Sequence, residues 1–139
     1  MVNIDKSGLD ALNAGKNKKP AKRNKYGAKE VVIDGYTFPS GSEGERYLEL
    51  KLQDHCGFIS DLKWQANPDQ KIKRFILQEG FRHPFFKRKQ SHISYTPDFS
   101  YVKDGKLIYE DSKGVRTEAY VLRRKMLLKR YPNINFIET

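Results

Sequence analysis

Between Tyr95 and Tyr109 apolar and polar residues alternate in short steps, and Asp104-Gly105 follows Val102-Lys103 near the middle of the run. An Asp-Gly pair between alternating segments is a hairpin signal, because both central positions of a type I′ turn need positive φ. Two antiparallel strands are therefore predicted, with Lys103 facing Lys106. Counting outward from that pair sets Asp98 opposite Asp111. Side chains alternate faces along a strand, so Lys113, two residues beyond Asp111, shares that face. A second Asp-Gly pair, Asp34-Gly35, lies inside residues 30–38 and predicts a smaller hairpin.

The other elements follow from changes of period. Ser40 and Glu43 fit a capping box, and Tyr47, Leu48, Leu50, Leu52 and Cys56 carry a helix to a stop at Gly57. Residues 58–65 read as a strand with Trp64 as a core anchor. Residues 71–77 read as a further strand whose cationic side could face DNA. Residues 78–90 interleave Phe81, Phe85 and Phe86 with Arg82, Lys87, Arg88 and Lys89. Bases stack on aromatics while cations track phosphates, so such a stretch suits unstacked nucleic acid. The reading favoured here is plainer: the phenylalanines plug the core, and Lys87, Arg88 and Lys89 bind. Thr117 is a good N-cap for a helix over 118–130, with Ala119, Leu122 and Met126 as its apolar row and Val121 and Leu128 nearby. Pro132 ends that helix, and residues 134–137 read as a last strand. Strand, helix and strand in succession imply a parallel neighbour through a crossover.

Composition narrows the partners. The 139 residues hold 27 Lys and Arg against 17 Asp and Glu, a net charge of +10. A strongly basic, aromatic-bearing domain most often meets a polyanion, with nucleic acid the commonest and a membrane surface the rival. No run of about 18 apolar residues and no secretory leader is seen, so a cytoplasmic protein is expected. Cys56 is the single cysteine, which excludes an intramolecular disulfide and argues against cysteine-based zinc. Residues 1–25 read as a flexible basic tail, and 26–139 as one folded domain.

The facing acids define the candidate chemistry. Opposed Cβ atoms lie about 5 Å apart, where like charges repel. A divalent cation offsets that repulsion, and Mg²⁺ takes carboxylate oxygens while keeping waters for substrate phosphates. Lys113 balances the remaining charge and could orient or deprotonate an attacking water. Arg116, Arg123, Arg124 and Lys125 flank the site, with Tyr120 and Lys125 placed to meet a phosphate chain.

Pro97-Asp98, followed thirteen residues later by Asp111-Ser112-Lys113, resembles the signature of the PD-(D/E)XK nucleases. Asn24-Lys25-Tyr26-Gly27, Ser42-Glu43-Gly44-Glu45-Arg46, Ile59-Ser60-Asp61-Leu62 and Lys113-Gly114-Val115-Arg116 are similar to a small phage-associated branch of undefined role. The likeness spans residues 24–137, with Gly44 standing where alanine is expected. The resemblance implies an α/β fold with a restriction-endonuclease-like core of order αβββαβ, a mixed central sheet flanked by helices. It also implies Asp98, Asp111 and Glu43 as metal ligands, Lys113 as the catalytic amine, and Mg²⁺ as cofactor with Mn²⁺ able to substitute. The expected activity is cleavage of duplex or branched DNA in phage recombination or replication, as in a Holliday-junction resolvase, by a homodimer if both strands are cut. A phage protein would work in the host cytoplasm. A non-catalytic DNA-binding or packaging accessory, and a translation-associated RNA-binding protein, stay open beside it.

Overall fold

The computed structural model describes Gly27 and residues 29–139, so the basic tail read over 1–25 lies outside the described residues. Asp34 and Gly35, with φ of 54° and 80°, join β1 (Val31–Ile33) to β2 (Tyr36–Phe38). Ser40 then caps α1 (Gly41–His55), its hydroxyl accepting from the Glu43 amide at 3.3 Å. The helix stops because Gly57 takes φ 79°, which lets the Gly57 and Phe58 amides turn back onto the carbonyls of Asp54 and Gln53. Beyond it come β3 (Ser60–Trp64), β4 (Phe75–Gln78), β5 (Ile93–Tyr95), β6 (Phe99–Lys103), β7 (Lys106–Asp111), α2 (Glu118–Arg130) and β8 (Phe136–Glu138).

The fold is a mixed α/β arrangement around a mixed sheet of order β3-β6-β7-β8. β6 pairs antiparallel with both β3 and β7, and β8 runs parallel to β7, as the strand, helix, strand succession implied. The β6–β7 register runs from Lys103 opposite Lys106 to Phe99 opposite Glu110. This is the register counted from Asp104-Gly105, whose φ angles are 52° and 74°. β4 and β5 form a separate two-stranded ribbon.

The sheet has two differently covered faces. On one, Phe99 and Tyr101 meet Tyr47 and Leu50 of α1 and Phe38 of the first hairpin. Trp64 packs there against Tyr36 and Tyr47 at ring distances of 5.2 and 5.0 Å, the core role read from the sequence. The hairpin lies so close to α1 that a Cβ at Gly44 would come within 2.7 Å of Val31 Cγ2, which accounts for glycine where alanine was expected. On the other face, Tyr120 and Leu127 of α2 pack with Phe75, Leu77 and Tyr95 of the ribbon.

Three expectations need correction. The strand read over 71–77 begins only at Phe75, since its partner β5 is three residues long and offers the preceding backbone no ladder. The apolar row assigned to α2 is rotated: Leu122 and Leu128 are 60% and 44% exposed, and the buried residues are Tyr120 and Leu127. Counting only aliphatic residues misplaced the stripe, because two tyrosines, Tyr120 and Tyr131, belong to this cluster. Finally, Phe81, Phe85 and Phe86 do not plug the core; they are 45%, 89% and 64% exposed.

Candidate active site

Alternation along β7 sends two adjacent acids in opposite directions. Glu110 shares the face of Phe99 and is fully buried, held by Arg46 Nε at 2.6 Å, Arg46 Nη2 at 2.8 Å and the Tyr101 hydroxyl at 2.8 Å. With the Thr139 hydroxyl as a fourth donor at 3.4 Å, this buried carboxylate is a structural clamp. Arg46 stands one helical turn after Glu43, so the clamp fixes the face of α1 that carries Glu43.

Asp111 faces the α2 side. Its Oδ1 accepts from the Asp98 amide at 3.1 Å, and Asp98 Oδ2 accepts from the Ser112 amide at 3.0 Å. The two aspartates thus tie together the strand ends where the regular ladder stops. Lys113 Nζ lies 3.3 Å from Asp111 Oδ2 and 3.6 Å from Asp98 Oδ2. β8 secures the other edge: the Thr139 amide donates to the Asp111 carbonyl, and the Lys113 amide donates to the Thr139 carbonyl. The face shared by Asp98, Asp111 and Lys113 is therefore the one counted from the hairpin.

Burial makes the cluster electrostatically tense. Asp98 is pushed up to about 8, first by burial and then by Asp111 and Glu43. Glu43 is raised to about 7 by burial, with Lys113 opposing and Asp111 adding to the rise. Burial alone would lower Lys113, but Asp98 and Asp111 outweigh it and hold the ammonium above its ordinary value. The buried hydroxyls of Tyr95 and Tyr120 gather here without a hydrogen-bond partner, beside Asp111 Oδ2 and its Lys113 ammonium. Burial and Asp111 raise both tyrosines. The Tyr120 ring also lies 5.2 Å from Lys113 Nζ. Unpartnered buried hydroxyls call for an explanation such as an ion or ordered water.

Two hollows meet at Lys113. One of about 580 Å³ is lined by Asp98, Tyr95, Arg74, Tyr120 and Arg123. The other, about 530 Å³, is lined by Glu43, Ser42, Ser112 and Gly114. The oxygen-only donor set suits a hard divalent cation. Among the described residues, however, no group of three or more His, Cys, Asp or Glu side chains is arranged to hold a metal ion. The cation-holding geometry on view is the pair Asp98 and Asp111, already bridged by an ammonium, with Glu43 coupled to both through charge.

The model of a family described as a protein of unknown function, DUF1064, matches residues 23–138. The chain belongs to the DUF1064 family. No curated protein and no solved structure matches it.

The remaining predicted residues of this DUF1064 chain are dispersed. Arg123 lines the larger hollow beside Asp98. Arg116 and Arg124 instead donate to Glu138, at 2.8 and 2.6 Å, so each cation is already paired. Lys125 and Arg116 border a separate hollow of about 250 Å³. Tyr120 is a buried wall residue, and Lys87, Arg88 and Lys89 sit on the exposed segment between β4 and β5. Sequence reasoning missed Tyr95 and the Arg46–Glu110 clamp. Tyr95 looked like one more β-strand aromatic, and no local signal joins residues 64 positions apart. Among the described residues no helix is long and apolar enough to cross a membrane.

Proposed function

We propose that this DUF1064 chain is a metal-dependent endodeoxyribonuclease of the PD-(D/E)XK type, acting on branched or otherwise structured DNA. What carries the reading is the convergence of Asp98, Asp111 and Lys113 on one face, with the buried Asp111 Oδ2 atom held by the Lys113 ammonium at 3.3 Å. The succession α1, β3, β6, β7, α2, β8, with the β4–β5 ribbon inserted, agrees with a restriction-endonuclease-like core. Asp98 and Asp111 would hold Mg²⁺ or Mn²⁺, with Glu43 as the further carboxylate. When bound, the ion stabilises charge on the phosphoryl oxygens and lowers the pKa of a coordinated water.

The chain's own groups complete the chemistry. Lys113 positions the attacking water and stabilises the negative charge that grows on the phosphoryl oxygens. The water oxygen forms the new bond to phosphorus as the bond to the leaving sugar oxygen breaks; the water gives up its proton to solvent, and the departing sugar oxygen takes one from solvent. Arg74 and Arg123, in the wall of the larger hollow, neutralise the neighbouring phosphates. The Ser112 and Asp98 amides hold the two carboxylates in place before substrate arrives.

A second reading has one observation on its side. Lys113 already bridges both aspartates, so the fold could persist as a DNA-binding protein that never recruits a metal. Incubation with linear, nicked, flapped and four-way DNA, and with RNA, in Mg²⁺, Mn²⁺ or chelator separates the two. The nuclease reading expects cuts that require metal and vanish in Asp111→Asn and Lys113→Ala while DNA binding persists. Cleavage that survives in either variant or in chelator overturns it, and binding without any cleavage favours the second reading.

A further inference from the structure

The segment between β4 and β5 is an organised arm. Phe81 and Gln90 exchange backbone hydrogen bonds at 2.9 and 2.8 Å, which continues the ribbon beyond its two named strands. At the tip, Pro84 occupies the second position of a turn closed by the Phe86 amide on the His83 carbonyl at 3.1 Å. The Phe85 amide donates to His83 Nδ1 at 3.2 Å, and the His83 ring lies 5.6 Å from both the Phe85 and Phe86 rings. A proline-set turn thus holds two phenylalanines outward, at 89% and 64% exposure.

Exposed aromatic rings need an occupant, and the local charge selects one. From Gly80 to His92 the arm carries Arg82, Lys87, Arg88 and Lys89 and no acidic residue. At its root, Arg74, Ser94 and Tyr95 line the hollow that contains Asp98 and Lys113. From Tyr95 to Phe86 nine residues span at most about 32 Å, less than ten base pairs at about 3.4 Å each, so the tip lies within the reach of one nucleic-acid substrate bound at the carboxylates.

We propose that the tip, Phe85 and Phe86, is a stacking platform for unpaired bases of DNA, with Lys87, Arg88 and Lys89 on the adjoining phosphates. The platform deepens the reading of the chain as a DNA-processing protein, and selects DNA with locally unpaired nucleotides over fully paired duplex. Base–aromatic stacking tolerates sequence because every base has a π-face, so the arm reads structure rather than sequence.

The test is binding by the full chain in chelator, which keeps it independent of cleavage. Fluorescence anisotropy compares a duplex carrying a central bubble with the same duplex fully paired, and 2-aminopurine in the bubble reports stacking. The expected result is preference for the bubble with quenched 2-aminopurine. Phe85→Ala with Phe86→Ala should weaken bubble binding about tenfold or more, leave paired duplex unaffected, and abolish the quenching. Phe85→Trp should restore it. Replacing Lys87, Arg88 and Lys89 by alanine should instead weaken both DNAs alike and reduce the salt slope by about three. Equal binding of both DNAs by the unaltered chain, or an alanine pair that binds the bubble normally, overturns the proposal. Two further results would also overturn it: preference confined to an RNA bubble, or phenylalanine-dependent binding to anionic lipid vesicles in place of the bubble. Because the two rings are solvent-exposed, circular dichroism of the alanine pair should match that of the unaltered chain.

Discussion

The most searching perturbation of the carboxylate cluster is pH, applied to the metal-free protein. In the fold Asp98 rises from 3.8 to about 8, and Glu43 from 4.5 to about 7, mainly because burial disfavours their charged forms. An acid whose folded pKa is raised holds its proton more tightly in the native state than in the unfolded chain. The stability this contributes is complete below about pH 4 and is lost as pH climbs through 7 and 8. One unit is worth about 1.36 kcal/mol, so the Asp98 shift taken whole would be about 5–6 kcal/mol. Water entering the adjoining hollow screens the group, and about 2–3 kcal/mol is expected, near 10 °C in melting temperature for a domain of this size. Thermal melting by circular dichroism between pH 5.5 and 8.5, in chelator, should show that decline, with Asp98→Asn removing most of it. Asparagine keeps an acceptor for the Ser112 amide, so the variant should fold. Mg²⁺ selects ionised carboxylates, and its stabilising effect should therefore grow with pH. A melting temperature that rises over this range, or a slope unchanged in Asp98→Asn, would refute the reasoning.

Three other outcomes are expected. Arg46→Ala strands the fully buried Glu110 and should cost about 3–5 kcal/mol in urea denaturation, with much of the loss recovered when Glu110→Gln is added. Ser40→Ala removes the cap of α1 and should cost about 1 kcal/mol while leaving the Mg²⁺ response intact; Glu43→Gln should do the reverse, and matched effects in the two variants would leave Glu43 with no role beyond the helix end. Leu127→Ala should cost about 2–5 kcal/mol whereas Leu122→Ala stays within about 0.5, a contrast that checks which side of α2 meets the sheet.

What could be read ahead of the structure was whatever local geometry enforces. Asp104-Gly105 allows one tight turn, and that turn fixes every pair down to Phe99 and Glu110 by arithmetic. Thr117 and Gly57 likewise mark helix ends through backbone chemistry that needs no distant partner. Long-range choices were not legible. Residues 93–103 look like one strand, yet Pro97 has no amide to donate, and the chain leaves the ribbon there to enter the sheet. Whether a phenylalanine is covered depends on what packs over it, so Phe38 and Phe85 read alike while one is fully buried and the other is bare. Glu43 was legible as a cap and, through the resemblance, as a metal ligand; its attraction to Lys113 and repulsion from Asp111 became visible once α1 was laid against the end of the sheet.

Glu110 and Asp111 are chemically near-identical neighbours sent to opposite sides, and this bears on how the chain avoids assembling wrongly. Sliding β7 by a single position would exchange them, offering the shorter acid to the guanidinium fork of Arg46 and thrusting the longer one onto the face of Asp98. The one-methylene difference in length would leave the fork half-filled, so the arginine disfavours the slipped sheet before Asp98, Asp111 and Lys113 can gather on one face.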